Sequence, residues 1–533
     1  MTGSVFLRFL TGLYSTLISF YEYSRAAKIT AALAGFAAHS VIVRAWRSIF
    51  CVDSGRSYAG GSRVFSLLYG LPKRLGRLTA LCPPLFESSG FLTALNASFI
   101  GRFENLFLLF LSVTFLVPGQ YWRNQVTVLG AGLLAVYFAA LIAAGKRRAC
   151  PGTNGSLLRE IPPALVVFAA LSALSLAVSH DLGDSLRIGS FLFSGIAVCV
   201  LIQFSITSRA MLDRFVAVIF AVMFLTAVYG FWQFASGIEV RLEFVDLATN
   251  AGMPGRVFST MENPNNYAEF LTLFLPVCLA FVLNRRSDLA RLVTSGMFLV
   301  CAAVLLLTYS RSSYVVAVFA FALFILLRNK RLIPFALVLA MLCLPFIPSS
   351  IANRFMSITS GDSSSTYRFI IWRAVQRMLA ENFVWLSGVG MGPEAFGKVY
   401  RAYAVIEAMT AMHSHNLFLQ VWVETGLFGL ASFIALLAST WKRNVAAALN
   451  TADLAMKNYF VAFAASIAGI ALFGMVEYVW FYPRIMLAFW VMMGLAMAAA
   501  RLSKKPEPAD GARLVESGYL PNTNNLPNRG DRQ

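Results

Sequence analysis

Long apolar segments, separated by shorter polar ones, repeat along most of the chain. A helix rises about 1.5 Å per residue, so about 20 residues cross the apolar core of a bilayer, which is about 30 Å thick. The pattern predicts an all-α polytopic membrane protein with about twelve transmembrane helices. The predicted segments are 105–118, 125–144, 161–178, 187–206, 214–234, 267–284, 293–308, 312–327, 332–347, 416–439, 458–477 and 483–499.

One polar interruption of this pattern is much longer than the others. It extends over 348–414 and ends where the apolar segment at 416 begins. With twelve spans, this loop and the segment 235–266 lie on the same, outer side of the membrane. We therefore expect one large periplasmic or extracellular loop, and polar chemistry held at a membrane surface is typical of a membrane enzyme.

Composition agrees with a membrane protein. Hydrophobic residues make up 58% of the chain and charged residues 13%. Soluble proteins carry about a quarter charged residues, so an ordinary soluble protein is excluded.

The placement of the basic residues argues against a nucleic-acid partner, although the net charge is +19. They form small clusters that the predicted topology places on one side of the membrane. By the positive-inside rule that side is the cytoplasm, and both termini lie there. The clusters are Lys146–Arg148, Arg285–Arg286, Arg328–Arg331, Lys442–Arg443 and Lys504–Lys505.

The two ends of the chain differ from the repeating region 105–500. Region 1–104 is basic, and its apolar runs are interrupted by arginine and lysine. Two interpretations remain open, extra spans or amphipathic helices on the inner membrane surface, and the interruptions favour the second. The tail 501–533 is rich in Pro, Asn and charge, which predicts disorder in the cytoplasm.

Two short segments place an arginine at the outer end of a predicted span. In Gly255–Asn266, Arg256 precedes Asn-Pro, a helix-breaking turn. In Leu307–Tyr314, Arg311 joins two spans with almost no loop between them, and such an arginine needs a partner or a polar cavity. Either guanidinium can bind a phosphate. The alternatives are an interfacial arginine with a capping asparagine, and an arginine that snorkels to the lipid headgroups.

The long loop carries three further features. Arg368 and Trp372 lie four apart in an amphipathic helical pattern, and Gly388–Gly392 forms a turn whose amides could approach a ligand. The loop ends in His413–Asn416, and a histidine there suits general-base catalysis or phosphate contact. Because no carboxylate or third histidine is close in sequence, we expect no metal and no cofactor.

Taken together, these segments resemble the O-antigen ligase and polymerase superfamily of bacterial envelope glycosyltransferases, over about 105–500. The basic region 1–104 is not part of that pattern. The motifs that carry the resemblance are Gly255-Arg256, Asn263–Asn265, Thr308–Ser312, Arg368 with Trp372, Gly388–Gly390, His413–Asn416 and Glu424–Gly429.

The resemblance implies a GT-C-like fold in the bacterial cytoplasmic membrane. It implies metal-independent, inverting transfer of a glycan from an undecaprenyl-diphosphate carrier to a glycan, lipid or protein acceptor outside that membrane. It further implies catalytic roles for two arginines and one histidine of the loop, and we expect five other residues to bind substrate. The catalytic positions are His415, Arg256 and Arg311, and the binding positions are Arg368, His413, Asn263, Asn265 and Ser310.

Three alternatives stay open at the level of sequence. A ligase and a polymerase differ in their acceptor, and the motifs do not separate them. A transporter of lipid-linked glycan would place charged residues at the bilayer midplane, whereas here the cations cluster at the outer interface. Either His413 or His415 can serve as the base; the asparagine that follows favours His415.

Overall fold

All regular structure in the described part of the chain is helical. The computed structural model describes residues 98, 102–143, 161–238, 255–343, 345, 363–381 and 383–503. Its α-helices are α1 Phe103–Leu116, α2 Asn124–Ala143, α3 Pro163–Ser175, α4 Leu182–Ser205, α5 Arg209–Ala235, α6 Pro264–Leu283, α7 Asp288–Leu307, α8 Arg311–Asn329, α9 Ile333–Cys343, α10 Ser363–Glu381, α11 Val384–Ser387, α12 Pro393–Tyr400, α13 Leu417–Asn450, α14 Leu454–Gly474 and α15 Pro483–Leu502.

Each of the twelve predicted segments overlaps one of these helices, which confirms an all-α polytopic membrane protein. Within the described residues, nine spans are long and apolar enough to cross a membrane, while α1 and α3 are shorter apolar helices. The predicted segments 312–327 and 332–347 are joined by the 3-10 turn Lys330–Leu332, so that Arg311–Val338 counts as one span. The number of twelve therefore stays a prediction.

The helices differ in how much protein surrounds them. In α15, 89% of the most apolar window is buried inside the protein, against 17% in α7. Helices α6 and α14 are also mostly buried, and α15 packs against α4. A helix that is apolar on all sides can thus serve either as the centre of the bundle or as a lipid-facing helix.

Main-chain hydrogen bonds show that the polar motifs share one end of the bundle, which we call the motif end. The amide of Val257 donates to the carbonyl of Leu307 (3.0 Å), and that of His180 to Val389 (3.0 Å). The amide of Leu417 donates to the carbonyl of Glu477 (3.2 Å). Segments 117–123, 179–181, 255–263, 308–310, 388–416 and 475–482 all lie at this end.

The opposite end, which we call the basic end, contains 206–208, 284–287 and 451–453. Ion pairs join neighbouring helices here: Arg285 with Asp213 and Arg209 with Asp453, each at 3.0 Å. Arg501, in the last turn of α15, donates to the carbonyl of Ile206 (2.6 Å). The described basic clusters Arg285–Arg286, Arg328–Arg331 and Lys442–Arg443 lie at this end, as predicted.

The described part of the long loop, 363–381 and 383–414, folds as a small helical unit of its own. The amphipathic pattern around Arg368 forms α10, and a separate apolar cluster joins α10 to α12 through residues such as Val375, Met378 and Phe396. Most of the predictions for 1–104 and 501–533 lie outside the described residues, although α15 continues to Leu502.

Candidate functional site

The backbone is most irregular in three segments that carry motifs: Gly255–Asn266, Leu307–Tyr314 and His413–Asn416. Among the described residues, four non-glycine residues have a positive φ: Ser259 (49°), Glu262 (62°), Tyr309 (52°) and His415 (50°). Each lies in a segment that the sequence singled out. Such conformations cost about 1–3 kcal/mol each and cluster at functional sites, so the irregularity marks these segments independently of their residue types.

Hydrogen bonds to α13 and to the segment that follows α14 fix the turn His413–Asn416. The Asn416 side chain caps α13 by accepting from the Leu419 amide (2.9 Å) and donates to the Met475 carbonyl (2.8 Å). The amide of the buried Ser414 donates to Oε1 of Gln420 (2.8 Å). These bonds fix the strained conformation of His415.

Glu477, in the segment between α14 and α15, joins the loop to this turn. Its Oε1 forms an ion pair with Arg368, and its Oε2 lies 3.4 Å from Nδ1 of His415. Burial alone would raise its pKa, but Arg368 and the hydrogen bond to His415 outweigh burial and lower the pKa below the ordinary value. Glu477 is therefore an ionised carboxylate that orients the His415 ring.

Trp372 fixes α10 against the same turn. Its indole Nε1 donates to the carbonyl of Ser414 (2.8 Å). The spacing of four between Arg368 and Trp372 thus has a structural reason, because the two side chains leave one face of α10 and contact Glu477 and the histidine turn.

His413 has a different environment from His415. Its ring centroid lies 4.4 Å from that of Phe481 and 4.2 Å from that of His415. Burial, followed by the neighbouring His415, lowers the pKa of His413 to about 3. Its Nδ1 accepts the main-chain N–H of His415 (3.2 Å), so His413 is a neutral ring that supports the backbone of the turn.

Arg256 connects the first two motifs. It is 9% exposed; its Nε donates to the carbonyl of Thr308 (2.9 Å) and its Nη2 to Oδ1 of Asn265 (2.7 Å). Asn263 caps α6 by accepting from the amide of Asn265 (2.8 Å). The capping role expected as the alternative is therefore present, and it places Asn265 where it can hold Arg256.

Arg311 is the first residue of α8 and follows the buried Ser310. The hydroxyl of Ser313 donates to that of Ser310 (3.0 Å). A cation at a helix N-terminus faces the positive end of the helix dipole, which costs about 0.3–1 kcal/mol. A position that is unfavourable for helix stability is an expected property of a residue that serves a ligand.

Helix α6 brings the arginine and histidine groups to the same part of the bundle. Asn263 and Asn265, at its start, belong to the Arg256 group. One turn further on, the buried Glu269 interacts electrostatically with Glu477 and Arg368. The first two turns of α6 therefore lie near both groups.

Arg484 was missed by sequence reasoning and is completely buried at the start of α15. Its guanidinium donates to the carbonyls of Thr114 (3.1 Å), Val117 (2.7 Å) and Thr260 (2.5 Å). It also donates to the hydroxyl of Tyr482 (3.0 Å). Arg484 thus ties the Arg256 motif to the end of α1, and three of these acceptors are main-chain carbonyls that no motif could reveal.

Glu477 was also missed, although a signal was present. It is an acid within the short aromatic segment 475–482, between two apolar spans. A carboxylate in such a position is expected to pair with a cation. Recognising that partner as Arg368 requires the folded arrangement, since the two residues are 109 apart in the chain.

The glycine turn Gly388–Gly392 serves the fold. Amides expected to approach a ligand donate to protein acceptors instead: Gly388 to Val384, Val389 to Val423, Met391 to Ser185 and Gly392 to Glu424. Gly388 also packs closely against the backbone of α13 at its kink, Gly426. A Cβ added to Gly426 would lie 1.9 Å from the carbonyl oxygen of Leu386. This close approach explains why both motifs contain glycine.

The described residues contain no cluster of three His, Cys, Asp or Glu side chains that could hold a metal ion. The fold and site define a class: a multi-pass helical membrane protein with buried cations, an ionised carboxylate and histidines at one end of the bundle.

Comparison with known families narrows this class. Residues 296–434 match the family model described as O-Antigen ligase, which supports the resemblance to the O-antigen ligase and polymerase superfamily. The match includes Arg311, Arg368, His413 and His415, whereas Arg256 and Glu477 lie outside it. No curated protein matches the chain significantly.

Proposed function

We propose that the protein transfers a glycan from an undecaprenyl-diphosphate carrier to an acceptor on the outer side of the bacterial cytoplasmic membrane. The family match supports the reaction class. The observation that carries the proposal is the contact of His415 with Glu477, at the end of the bundle that also holds Arg256. The basic end faces the cytoplasm under the positive-inside rule, so the motif end faces the periplasm or cell exterior.

His415 acts as the general base. Its Nδ1 faces Glu477, so the carboxylate holds the ring orientation and stabilises the imidazolium that forms. The acceptor hydroxyl loses its proton to His415 while its oxygen bonds to the anomeric carbon of the donor sugar. His413, with its strongly lowered pKa, is a poor proton acceptor and keeps its place as support for the turn.

Arg256 and Arg311 stabilise the leaving group. The bond between the anomeric carbon and the phosphate oxygen breaks, and its electron pair goes to the carrier diphosphate. Guanidinium groups keep their charge at any physiological pH and bind phosphate through paired N–H groups. Two such cations supply the charge stabilisation without a metal ion, and a single displacement inverts the anomeric centre.

The remaining predicted residues bind or position substrate in this proposal. Asn265 orients Arg256, and Asn263 holds the turn in which Asn265 lies. Ser310 begins the helix that carries Arg311. Arg368, whose side chain is 20% exposed beside Glu477, is placed to contact an incoming phosphate.

The test is transfer by purified protein in detergent, with an undecaprenyl-diphosphate-linked glycan and candidate lipid, protein and glycan acceptors. We expect His415→Ala to lower the transfer rate by about 10²–10⁴-fold. His180→Ala is the matched control, because His180 is an exposed histidine at the same end. Equal rates for wild type and His415→Ala would contradict the assigned base.

The products distinguish the alternatives within the superfamily. Glycan on a separate lipid or protein acceptor would identify a ligase. Lengthening of the carrier-linked glycan would identify a polymerase, which needs the same base and the same cations. Absence of any transfer by the wild type would contradict the proposed function and leave transport of the lipid-linked glycan to be tested.

A further inference from the structure

A cavity of about 300 Å³ lies beside the histidine turn and contains none of the residues assigned to the reaction. Its volume is at the lower end of small-molecule sites, about 300–1,000 Å³. Helices α2, α4, α12 and α13 and the segment 475–482 contribute its walls. The lining includes Arg187, Met412, Gln420, Glu424, Trp480 and Phe481.

One wall of the cavity is polar and organised by a buried carboxyl group. Glu424 is 5% exposed; its Oε1 accepts from Gln420 (3.0 Å), the Gly392 amide (3.3 Å) and the Tyr478 hydroxyl (3.3 Å). Its Oε2 also lies 3.4 Å from the Tyr478 hydroxyl. A carboxylate has about four acceptor positions, so Oε2 retains the capacity to accept from a ligand hydroxyl.

The other wall is aromatic. Phe481 is 43% exposed and presents an apolar ring, whereas Trp480 is almost completely buried. The two rings give this wall an aromatic surface on which the apolar face of a ligand can pack.

Two residues that line the cavity, Gln420 and Phe481, also contact the turn that carries the proposed base His415. Gln420, which donates to Glu424, also accepts from the Ser414 amide next to His415. Phe481 packs on His413, whose ring contacts that of His415. A ligand in the cavity therefore lies one layer of side chains from the reacting atoms.

We propose that this cavity is a saccharide subsite. A pyranose ring has apolar C–H faces that pack on an aromatic ring such as Phe481, and hydroxyl groups that bond to carboxylate, amide and guanidinium groups. Glu424, Gln420 and Arg187 supply those groups. The proposal rests on the proposed glycan transfer, and it assigns to the cavity one sugar residue of either the donor glycan or the acceptor glycan.

Binding is tested separately from transfer, by saturation-transfer difference NMR of the protein in detergent. The probes are methyl glycosides of glucose, galactose, rhamnose and N-acetylglucosamine. We expect signals for at least one probe with wild type and with Phe383→Ala, a control at an exposed phenylalanine outside the cavity. We expect about tenfold weaker binding for Phe481→Ala and Glu424→Gln.

Phe481→Ala keeps the test decisive if Glu424→Gln fails to fold, because Phe481 is partly exposed. Equal signals in wild type and Phe481→Ala, or no signal with wild type for any probe, would overturn the subsite. Transfer assays on the same preparations separate the two proposals. Transfer without binding in the cavity supports the proposed function and contradicts the subsite. Binding in the cavity without transfer supports the subsite and contradicts the proposed function.

The source of the sugar is read from the KM values of Phe481→Ala. An increase of about tenfold in the KM for the carrier-linked donor assigns the cavity to the donor glycan. The same increase in the KM for the acceptor assigns it to the acceptor glycan. Both results support the subsite, and KM values that match wild type for both substrates contradict it.

Discussion

The motif end and the basic end of the bundle both contain an arginine paired with a carboxylate, but the two pairs have different surroundings. At the basic end, Arg285 pairs with Asp213, which also accepts from the Tyr459 hydroxyl. At the motif end, Arg368 shares Glu477 with His415. One carboxylate thus joins helices, and the other joins a cation to a group that can exchange a proton.

The backbone follows the same division. Side-chain caps occur at both ends, such as Asp453 on α14 at the basic end and Asn416 on α13 at the motif end. The positive-φ non-glycine residues of the described chain all lie at the motif end. Strained backbone lowers stability and is retained where the geometry serves a ligand. The comparison therefore predicts that substitutions at the two ends will affect different quantities.

The largest contrast is expected between arginines. Arg256→Ala and Arg311→Ala should each lower the transfer rate by about 10²–10³-fold, because each removes a cation from the leaving diphosphate. Arg285→Ala at the basic end should leave the rate per folded protein near wild type. The measurement is transfer by purified variants, normalised to the folded fraction. Full activity of Arg256→Ala or Arg311→Ala would contradict the proposed difference in function between the two ends.

Glu477→Gln should have the next largest effect. Loss of the carboxylate charge leaves His415 less well oriented and its imidazolium less stabilised, so kcat should decrease roughly 10–100-fold. The KM values should change little, since the proposed contact with substrate is made by other groups. A variant with normal kcat and a raised KM would instead make Glu477 a binding residue.

Asp213→Asn tests the opposite end. It removes the negative partner of Arg285 and Tyr459 and should cost about 1–3 kcal/mol of stability, seen as a lower midpoint of thermal unfolding. The transfer rate of the folded protein should not change. A loss of transfer in a variant that still unfolds at the wild-type temperature would show that the basic end takes part in function.

The smallest expected effect is on the pH dependence of stability. The pKa of Glu477 is lowered in the folded protein from an unfolded value of about 4.5. Its ionised form therefore stabilises the fold fully above that value, and the contribution is lost as pH falls through the lowered pKa. The difference in unfolding temperature between wild type and Glu477→Gln should narrow as the pH falls below about 4.5. A difference that stays constant at lower pH would contradict the lowered pKa.

The sequence predicted the helices well because crossing a membrane requires long apolar segments, and these are visible locally. It also predicted that Arg256, Arg311 and the histidine turn lie at one end, since alternating spans fix sidedness. It could not predict Glu477 or Arg484, whose partners come from distant helices. Their contacts depend on how α1, α6, α10 and α15 pack, and no local pattern records that packing.

The length of α13 fixes the depth of the histidine turn in the membrane. Trp441 lies beside the basic residues Lys442 and Arg443, and tryptophans are enriched where the apolar core meets the headgroups. About 20 residues cross a core of about 30 Å, and counted outward from Trp441 they reach Trp422. The kink at Gly426 shortens this path, so the count is a minimum and His415 lies near the membrane surface at the motif end. In the proposed reaction, the diphosphate of a lipid carrier meets the histidine at that surface, while its glycan stays in water.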